Sequence, residues 1–403
     1  MLHRLFKQPA PQRPLRVLVS AKVGDTLIAP GRARSIWAAN TADAVRQNGH
    51  IPVLLGRTND QPYDIASAQG CNSISRVFSS IYNVPEGIEL AIPNARSDFT
   101  ADDAANWEMR SDYLDELLKN VDVAHIRDGM MARKCFFQSI PFIYEDHNED
   151  YHENISSKDI SILRDPLCRG VLAITPTVAK RLEGWGLGDK TFVADSGVNV
   201  YSVERDLDRV ARCRRFILGH RFSAAAFYGG GLQTERGIDK IFEAARLNPH
   251  IHFLLAGGVS RAQNERRDQR NKSDLKNLSV LGFLDQSTVM LFAQSSDVLV
   301  FTRAKNDRSQ ITSPLKVFEY LASGSPLVSY KLKVIENAIG KDAALTFYSG
   351  EDGASLSKAI NKSLRLRPWR LEGYEQNVRY GMKKSWKARE QRILERLCAG
   401  VDA

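Results

Sequence analysis

Short apolar runs of strand length alternate with helix-period segments along most of the chain, and most of the runs end on polar residues. Arg16 to Ser20 (RVLVS) is a β-branched run, followed by a Gly/Pro-containing loop from Lys22 to Arg34, a helical segment from Ser35 to Asn48 and a second apolar run at Ile51 to Leu55. This is a β-loop-α-β opening. The order recurs. Val121 to Ile126 precedes Arg127 and Asp128; Pro141 to Tyr144 precedes Glu145, Asp146 and His147; Val171 to Thr175 precedes a helix from Pro176 to Gly186. A second round starts at Ala224 to Gly229 (AAAFYG), which leads into Gly230, Gly231, Arg236 and Gly237 and a helix from Ile238 to Asn248. Strands follow at His252 to Ala256, Leu278 to Leu281, Val298 to Thr302 and Pro326 to Tyr330, with helices at Gln286 to Ser295 and from Ser313. Such alternation predicts an α/β protein with two Rossmann-like, doubly wound parallel sheets.

Between the two rounds lies an arginine-rich segment, Arg205 to Arg221, taken as the crossing between domains. The last segment, Gly373 to Leu397, places Tyr374, Val378, Met382, Trp386, Ile393 and Leu397 near helical spacing. It predicts a basic terminal helix that returns to the first domain. The expected division is residues 1–200, 201–372 and 373–403.

A chain of 403 residues suits two domains, and 43% hydrophobic with 26% charged residues is ordinary globular composition. No run approaches the roughly 20 apolar residues that span a bilayer, and the first 16 residues hold no long apolar stretch, so a cytoplasmic protein is expected. The five cysteines are scattered, with no pair at metal or redox spacing, and the eight histidines form no ligand motif. No metal and no cofactor are expected. The net charge of +9 concentrates at the ends: residues 1–34 hold seven Lys/Arg against one acid, and residues 361–403 hold eleven against five. Basic ends suit an anionic or lipid-linked acceptor, or peripheral contact with the inner face of a membrane, as well as they suit plain solubility. Aromatic interleaving of the RNA-binding kind is absent, so nucleic acid is not expected.

The densest chemistry lies in Thr312 to Gly324 (TSPLKVFEYLASG). Ser313 can cap a helix whose first position is Pro314, leaving outward amides around Ser313 and Leu315 that favour an anion, with Lys316 beside them. Glu319, one turn on, is placed to accept two sugar hydroxyls. An ordinary amphipathic helix with an i, i+3 ion pair is the alternative. Beyond the strand ends of the first sheet, Lys22, Arg127, Asp128 and His147 are expected on one rim.

Four ordered segments of the second half carry a family resemblance: YGGGLQTERGIDKIFEAA, AGG at 256–258, LGFL at 281–284, and SSDVLVF followed by SPLKVFEYLASGSPLV. They resemble the GT-B glycosyltransferases, closest to the retaining nucleotide-sugar transferases of glycosyltransferase family four. HIRDG, IPFIYEDH, TPTVAKRL and DSGVN match more loosely in the first half. The resemblance implies two domains facing across a cleft and a nucleoside-diphosphate sugar as donor substrate. It assigns Arg236 and Lys316 to the donor diphosphate, together with Thr312, Ser313, Leu315, Gly230 and Gly231. Glu319 takes the ribose, Gly282, Phe283 and Leu284 lie under the base, and His147 approaches the donor sugar. On the acceptor side it places Gly31, Arg32, Arg34, Arg127 and Asp128.

The chain departs from the family pattern at two positions. Ile311 stands where a first glutamate is usual, and Gly231 where an arginine is often found, which leaves Arg303 and Lys305 as further cations. Three other readings compete: a non-catalytic nucleotide- or polyanion-binding module, a GT-B nucleotide-sugar epimerase, and a metal-dependent single-domain transferase. The last would need Asp206 and Asp208 as ligands, yet these sit in the arginine-rich segment with no preceding strand.

Overall fold

The computed structural model describes residues 13–21, 27, 33–56, 68–92, 112–147, 157–194, 196–199, 203–258, 260–303 and 315–398. The first half runs β1 (Arg16–Ser20), α1 (Ala33–Gln47), β2 (Ile51–Leu55), α2 (Ala68–Tyr82), β3 (Glu89–Ala91), α3 (Asp112–Lys119), β4 (Val123–Ile126), α4 (Gly129–Phe137), β5 (Phe142–Asp146), α5 (Ser157–Arg164), β6 (Cys168–Ala173), α6 (Pro176–Gly184) and β7 (Thr191–Val193). Its seven strands are parallel in the order β3-β2-β1-β4-β5-β6-β7. Helices cover both faces of such a sheet, so its central strands are buried; all four residues of β4 are buried, His125 included, while the edge strands β3 and β7 keep exposed residues.

The second half runs α7 (Leu207–Leu218), β8 (Ala224–Gly229), α8 (Ile238–Leu247), β9 (Ile251–Ala256), α9 (Ser260–Lys272), β10 (Leu278–Gly282), α10 (Gln286–Ser295), β11 (Val298–Phe301), α11 (Leu315–Ala322), β12 (Leu327–Tyr330), α12 (Lys333–Ala338), β13 (Leu345–Tyr348), α13 (Gly353–Leu366), α14 (Glu375–Lys383) and α15 (Trp386–Leu397). Its parallel sheet is ordered β10-β9-β8-β11-β12-β13. Both sheets therefore reverse their strand order once, at β1/β4 and at β8/β11. In open α/β sheets the crevice beyond the carboxyl ends at such a reversal is where ligands bind.

Each sheet has its own apolar core, and α15 contributes Trp386, Ile393, Leu394 and Leu397 to the first. The expected single terminal helix is two. α14 packs on α11, whereas α15 packs on α1. The break at Lys384–Ser385 is built in: Ser385 caps α15 through Ala388 N–H, and Val198 bridges Ser385 in parallel by accepting from Trp386 N–H and donating to Lys384 C=O. Gly197 permits this approach, since a Cβ there would lie 2.6 Å from Trp386 N.

The arginine-rich segment also differs from expectation. It folds as α7 and packs on α10 within the second half, and Val210 and Ile217 are buried. Its arginines clamp carbonyls and a carboxylate: Arg205 donates to Leu371, Ser323 and Gln294, and Arg214 makes a two-pronged bond to Asp297 while lying over Trp369. Asp206 is the cap of α7, accepting from Arg209 N–H. The strand expected at Val171–Thr175 starts three residues earlier, at Cys168; Gly170 lies inside it because a Cβ there would press on Phe192 of β7 at 2.9 Å.

Candidate active site

At the reversal of the second sheet, three strand-end loops are stitched together through backbone groups. Gly230 N–H donates to Ala256 C=O, and Gly257 N–H donates to Gly282 C=O at 2.6 Å. Gly257 has φ +102°, and a Cβ on it would lie 2.4 Å from Gly230 O. Only glycine satisfies both the left-handed dihedral and that approach. Two buried tyrosines pin the first loop: Tyr320 of α11 accepts from Gly229 N–H at 2.6 Å, and Tyr228 donates to Gly231 C=O at 2.7 Å. Thus the helix that carries Lys316 and Glu319 is tied directly to the end of β8.

Arg236 lies against this loop. A Cβ at Gly231 would lie 3.6 Å from Arg236 Nε and 2.3 Å from Gln233 Oε1, so those two side chains occupy the space that a larger residue 231 would need. The positive surroundings are shared. Burial pushes the Tyr228 hydroxyl up to about 12, while the charges of Arg236, Arg303 and Arg266 act on it in the opposite direction. Arg303 follows β11 on the other side of the reversal. Gly237, at φ +73°, ends the turn that carries Arg236 and starts α8; a Cβ there would meet Thr302 Oγ1 at 2.8 Å.

Glu319 is buried between two partners. Lys316 Nζ lies 2.9 Å from its Oε2, and Gln286 Nε2 donates to its Oε1 at 3.0 Å. Gln286 opens α10 directly after the Gly282–Leu284 segment, where Asp285 caps the helix through Thr288 N–H. Phe283 is exposed and Leu284 packs on the core. The ion pair of Lys316 and Glu319 expected of an ordinary helix is therefore present. It does not satisfy the site. Gln233 Oε1 and Arg236 Nε are buried side-chain atoms without a hydrogen bond, and Glu319 Oε2 has only its ion pair with Lys316. Buried polar groups are normally paired, and leaving one unpaired costs about 1–3 kcal/mol. Two such atoms lie beside the glycine loop, one of them on a residue singled out for donor binding, and leave polar capacity there for a ligand.

The first-half residues are held differently. Asp128 caps α4 by accepting from Met130 N–H, and Arg127 lies over the Trp37 ring, 5.0 Å from its centroid. His147, at the end of β5, bonds through Nε2 to Glu145 Oε1 at 2.6 Å and lies edge-on to Trp37. Burial first, and the Arg127 charge second, pull the imidazole down to about 4 against the attraction of Glu145, so it is neutral at pH 7. Glu145 also accepts from Trp37 Nε1, Arg389 and His125. Burial acts to raise its carboxyl, but Arg389 and the two histidines hold it well below the usual range. His125, which burial would lower, is pushed up to about 9 by Glu390 and Glu145.

Sequence reasoning did not single out Gln233, Gln286, Tyr228, Tyr320, His125, Trp37, Arg389 or Glu390. Gly31, Arg32, Thr312, Ser313, Ile311, Lys22 and Lys305 lie outside the described residues, as does the side chain of Leu315. Arg34 sits in the first turn of α1.

Two reversed parallel sheets, joined by a terminal helix that crosses back, with a glycine cradle at one switch point, make this a GT-B protein. Residues 223–383 match the family Glycosyl transferases group 1. Solved structures share the fold along the whole chain. A glycosyltransferase from Rickettsia africae ESF-5 is 14% identical with a TM-score of 0.69, covering 96% of this chain and 99% of its own. Anabaena HepE in complex with UDP and glucose is 14% identical with a TM-score of 0.67, covering 96% and 100%. Sucrose-phosphate synthase from Thermosynechococcus elongatus is 14% identical with a TM-score of 0.67, covering 94% and 98%. No curated protein sequence matches the chain. No helix among the described residues is long and apolar enough to cross a membrane.

Proposed function

We propose that this chain is a glycosyltransferase that moves a sugar from a nucleoside-diphosphate sugar to an acceptor hydroxyl. The observation that carries the reading is the pair of unpaired buried atoms on Gln233 and Arg236 against the glycine loop after β8, with the Lys316–Glu319 pair on the helix that Tyr320 ties to that loop. A guanidinium matches phosphate oxygens and a carboxylate matches a ribose diol, so one nucleotide satisfies both ends. The related fold of HepE is known with UDP and glucose.

As the bond from the sugar to the diphosphate breaks, negative charge grows on the β-phosphate. Arg236, Lys316 and the amides at the start of α11 meet that charge with fixed positive charge, Arg303 adding to it. Preorganised electrostatics of this kind is commonly the largest single contribution to catalysis. With the cations supplied by the protein, the transfer proceeds without a metal. In line with the resemblance to the retaining nucleotide-sugar transferases, the acceptor hydroxyl attacks on the face from which the diphosphate leaves, passing its proton to a phosphate oxygen, and configuration is retained. Phe283 offers an exposed ring beside Gly282 for the base. Arg34, Arg127 and Asp128, with Gly31 and Arg32, form the acceptor side, and the basic ends draw an anionic or lipid-linked acceptor of a polysaccharide or glycolipid pathway at the inner membrane face. Gly231 retunes the site without emptying it of charge, because Arg236 lies against that position.

The test is turnover of UDP-, GDP-, ADP- and TDP-sugars with a panel of acceptors, following nucleoside diphosphate release. Release from one donor class, lost in Arg236→Ala, supports the reading. Nucleotide binding that Glu319→Ala weakens, with no release from any donor, would instead identify a binding module. A new sugar nucleotide with no acceptor present would identify an epimerase.

A further inference from the structure

His147 makes one hydrogen bond among the described residues, and that bond fixes more than its position. Glu145 is a carboxylate, held ionised by Arg389 at 2.7 Å and by His125 at 2.8 Å, so it can only accept. The proton between Glu145 Oε1 and His147 Nε2 therefore belongs to the histidine. A neutral imidazole with its proton on one nitrogen has a lone pair on the other. Nδ1 has no hydrogen-bond partner among the described residues, and the side chain keeps 15% of its surface exposed at the carboxyl end of β5.

The rest of the cluster explains why Glu145 cannot turn. Its Oε1 receives Trp37 Nε1 at 3.0 Å, His147 and Arg389; its Oε2 receives His125 Nε2, whose other nitrogen bonds Glu390 at 2.9 Å. Two carboxylates thus face two cations in a dry interior, and the elements around the cluster all contribute: α1 through Trp37, β4 through His125 and the following Arg127, β5 through Glu145, α15 through Arg389 and Glu390. Two of these charges come from the terminal helix, more than 240 residues along the chain from Glu145.

We infer that Glu145 is a positioning residue that, gripped by Arg389 and His125, holds His147 as the Nε2–H tautomer and presents Nδ1 as a hydrogen-bond acceptor to a hydroxyl of the transferred sugar. The inference rests on the reading above that His147 faces the donor sugar. It makes the terminal helix part of the catalytic apparatus: α15 sets the protonation pattern of a side chain it does not touch. It also assigns His147 a polarity. The residue recognises a donor through a group that can give a proton, and a sugar with a hydrogen or a methoxy group at that position loses the contact.

The experiment combines a spectrum with a double-mutant cycle. In the full-length protein labelled with 15N-histidine, with His147 assigned by comparison with His147→Gln, Nδ1 is expected in the unprotonated and Nε2 in the protonated shift range at pH 7. A protonated Nδ1, or an averaged pair, overturns the inference. In kinetics, Glu145→Gln is expected to lower kcat about 10- to 100-fold with little change in donor KM, by analogy with other groups that orient an active-site histidine. It is expected to add nothing to His147→Ala, because a positioning residue has no effect once its target is gone. Arg389→Lys is expected to retain more activity than Arg389→Met. The spectrum needs no change at Glu145, and Trp37→Phe removes one donor from Glu145 without changing charge, so the inference stays testable if Glu145→Gln does not fold. If His147→Ala is slow but Glu145→Gln slows it further by its full factor, the reading of the site stands and the positioning role falls. If His147→Ala turns over at the wild-type rate, both fall.

Discussion

The two switch points of this molecule are built on opposite plans. At the first, around β4 and β5, buried charges are paired densely with one another: Glu145 meets Trp37, His147, Arg389 and His125, and His125 meets Glu390. At the second, around β8 and β11, the charges are sparser: Glu319 has Lys316 and Gln286, while Gln233 and Arg236 each keep a buried atom without a hydrogen bond. A dense network rigidifies and holds one side chain in one state, whereas a sparse one leaves polar groups for a ligand. The contrast separates a domain that positions from a domain that binds. Substitutions in the first should therefore cost stability as well as activity, whereas substitutions in the second should act on catalysis with little cost in stability.

The largest effect is expected where the dense network is broken. Arg389→Met removes one cation from a pair of buried carboxylates and should destabilise the protein by about 3–5 kcal/mol, measured by urea unfolding. A change below 1 kcal/mol would show that Glu145 is not the buried anion described here.

Arg236→Ala tests the sparser site. It is expected to cost about 2–4 kcal/mol of transition-state stabilisation, read from kcat/KM, with the unfolding midpoint almost unchanged. Equal losses of stability and activity would erase the distinction between the two switch points.

The acid and alkaline limbs of stability sharpen the comparison further, because both arise from the dense network. His147 takes its proton near 6.5 when unfolded but only near 4 when folded, so the unfolded chain binds more protons between those values. Stability falls as pH drops from 6.5 toward 4, and Glu145, held below its ordinary 4.5, adds to the loss below that pH. His125 is the reverse case: its proton stays on in the folded state up to about 9, so its contribution is complete below 6.5 and is lost as pH rises through about 9. Each histidine contributes up to about 3 kcal/mol, and together they place their stability maximum near pH 6.5. Thermal unfolding across pH 4.5 to 9.5 checks this; His125→Gln should flatten the alkaline limb alone.

The smallest effect concerns local scaffolding. Asp285→Ala removes the cap of α10 and should cost about 1 kcal/mol of stability while shifting Gln286 away from Glu319, seen as a modest rise in donor KM.

Much of the architecture was legible because it depends on local order. The runs that became β1, β2, β8 and α10 match their observed spans, and the resemblance of the segment after β8 drew notice to its glycines and Arg236, where the structure shows a close backbone approach between Gly230 and Gly257. What escaped detection depends on distance along the chain. Glu145 and His125 looked like isolated polar residues at strand ends, and nothing near them in sequence announces that Arg389 and Glu390 arrive from α15. The same holds for Gln286 and Glu319, 33 residues apart. The split of the terminal helix was hidden because the apolar positions keep nearly helical spacing across Lys384 and Ser385, and only the pairing of Ser385 with Val198 shows why the helix stops. The arginines of the segment Arg205 to Arg221 looked like a charged connector because their carbonyl partners lie up to 166 residues away.

The central claim is that the second domain binds a nucleoside diphosphate through Arg236 and Glu319. Its most direct test is calorimetric titration of the wild-type protein with UDP, GDP, ADP and TDP, repeated with Arg236→Ala and Glu319→Ala. The account expects saturable binding of at least one diphosphate, weakened at least tenfold by either substitution. Binding that neither substitution alters, or no binding of any of the four, would contradict it.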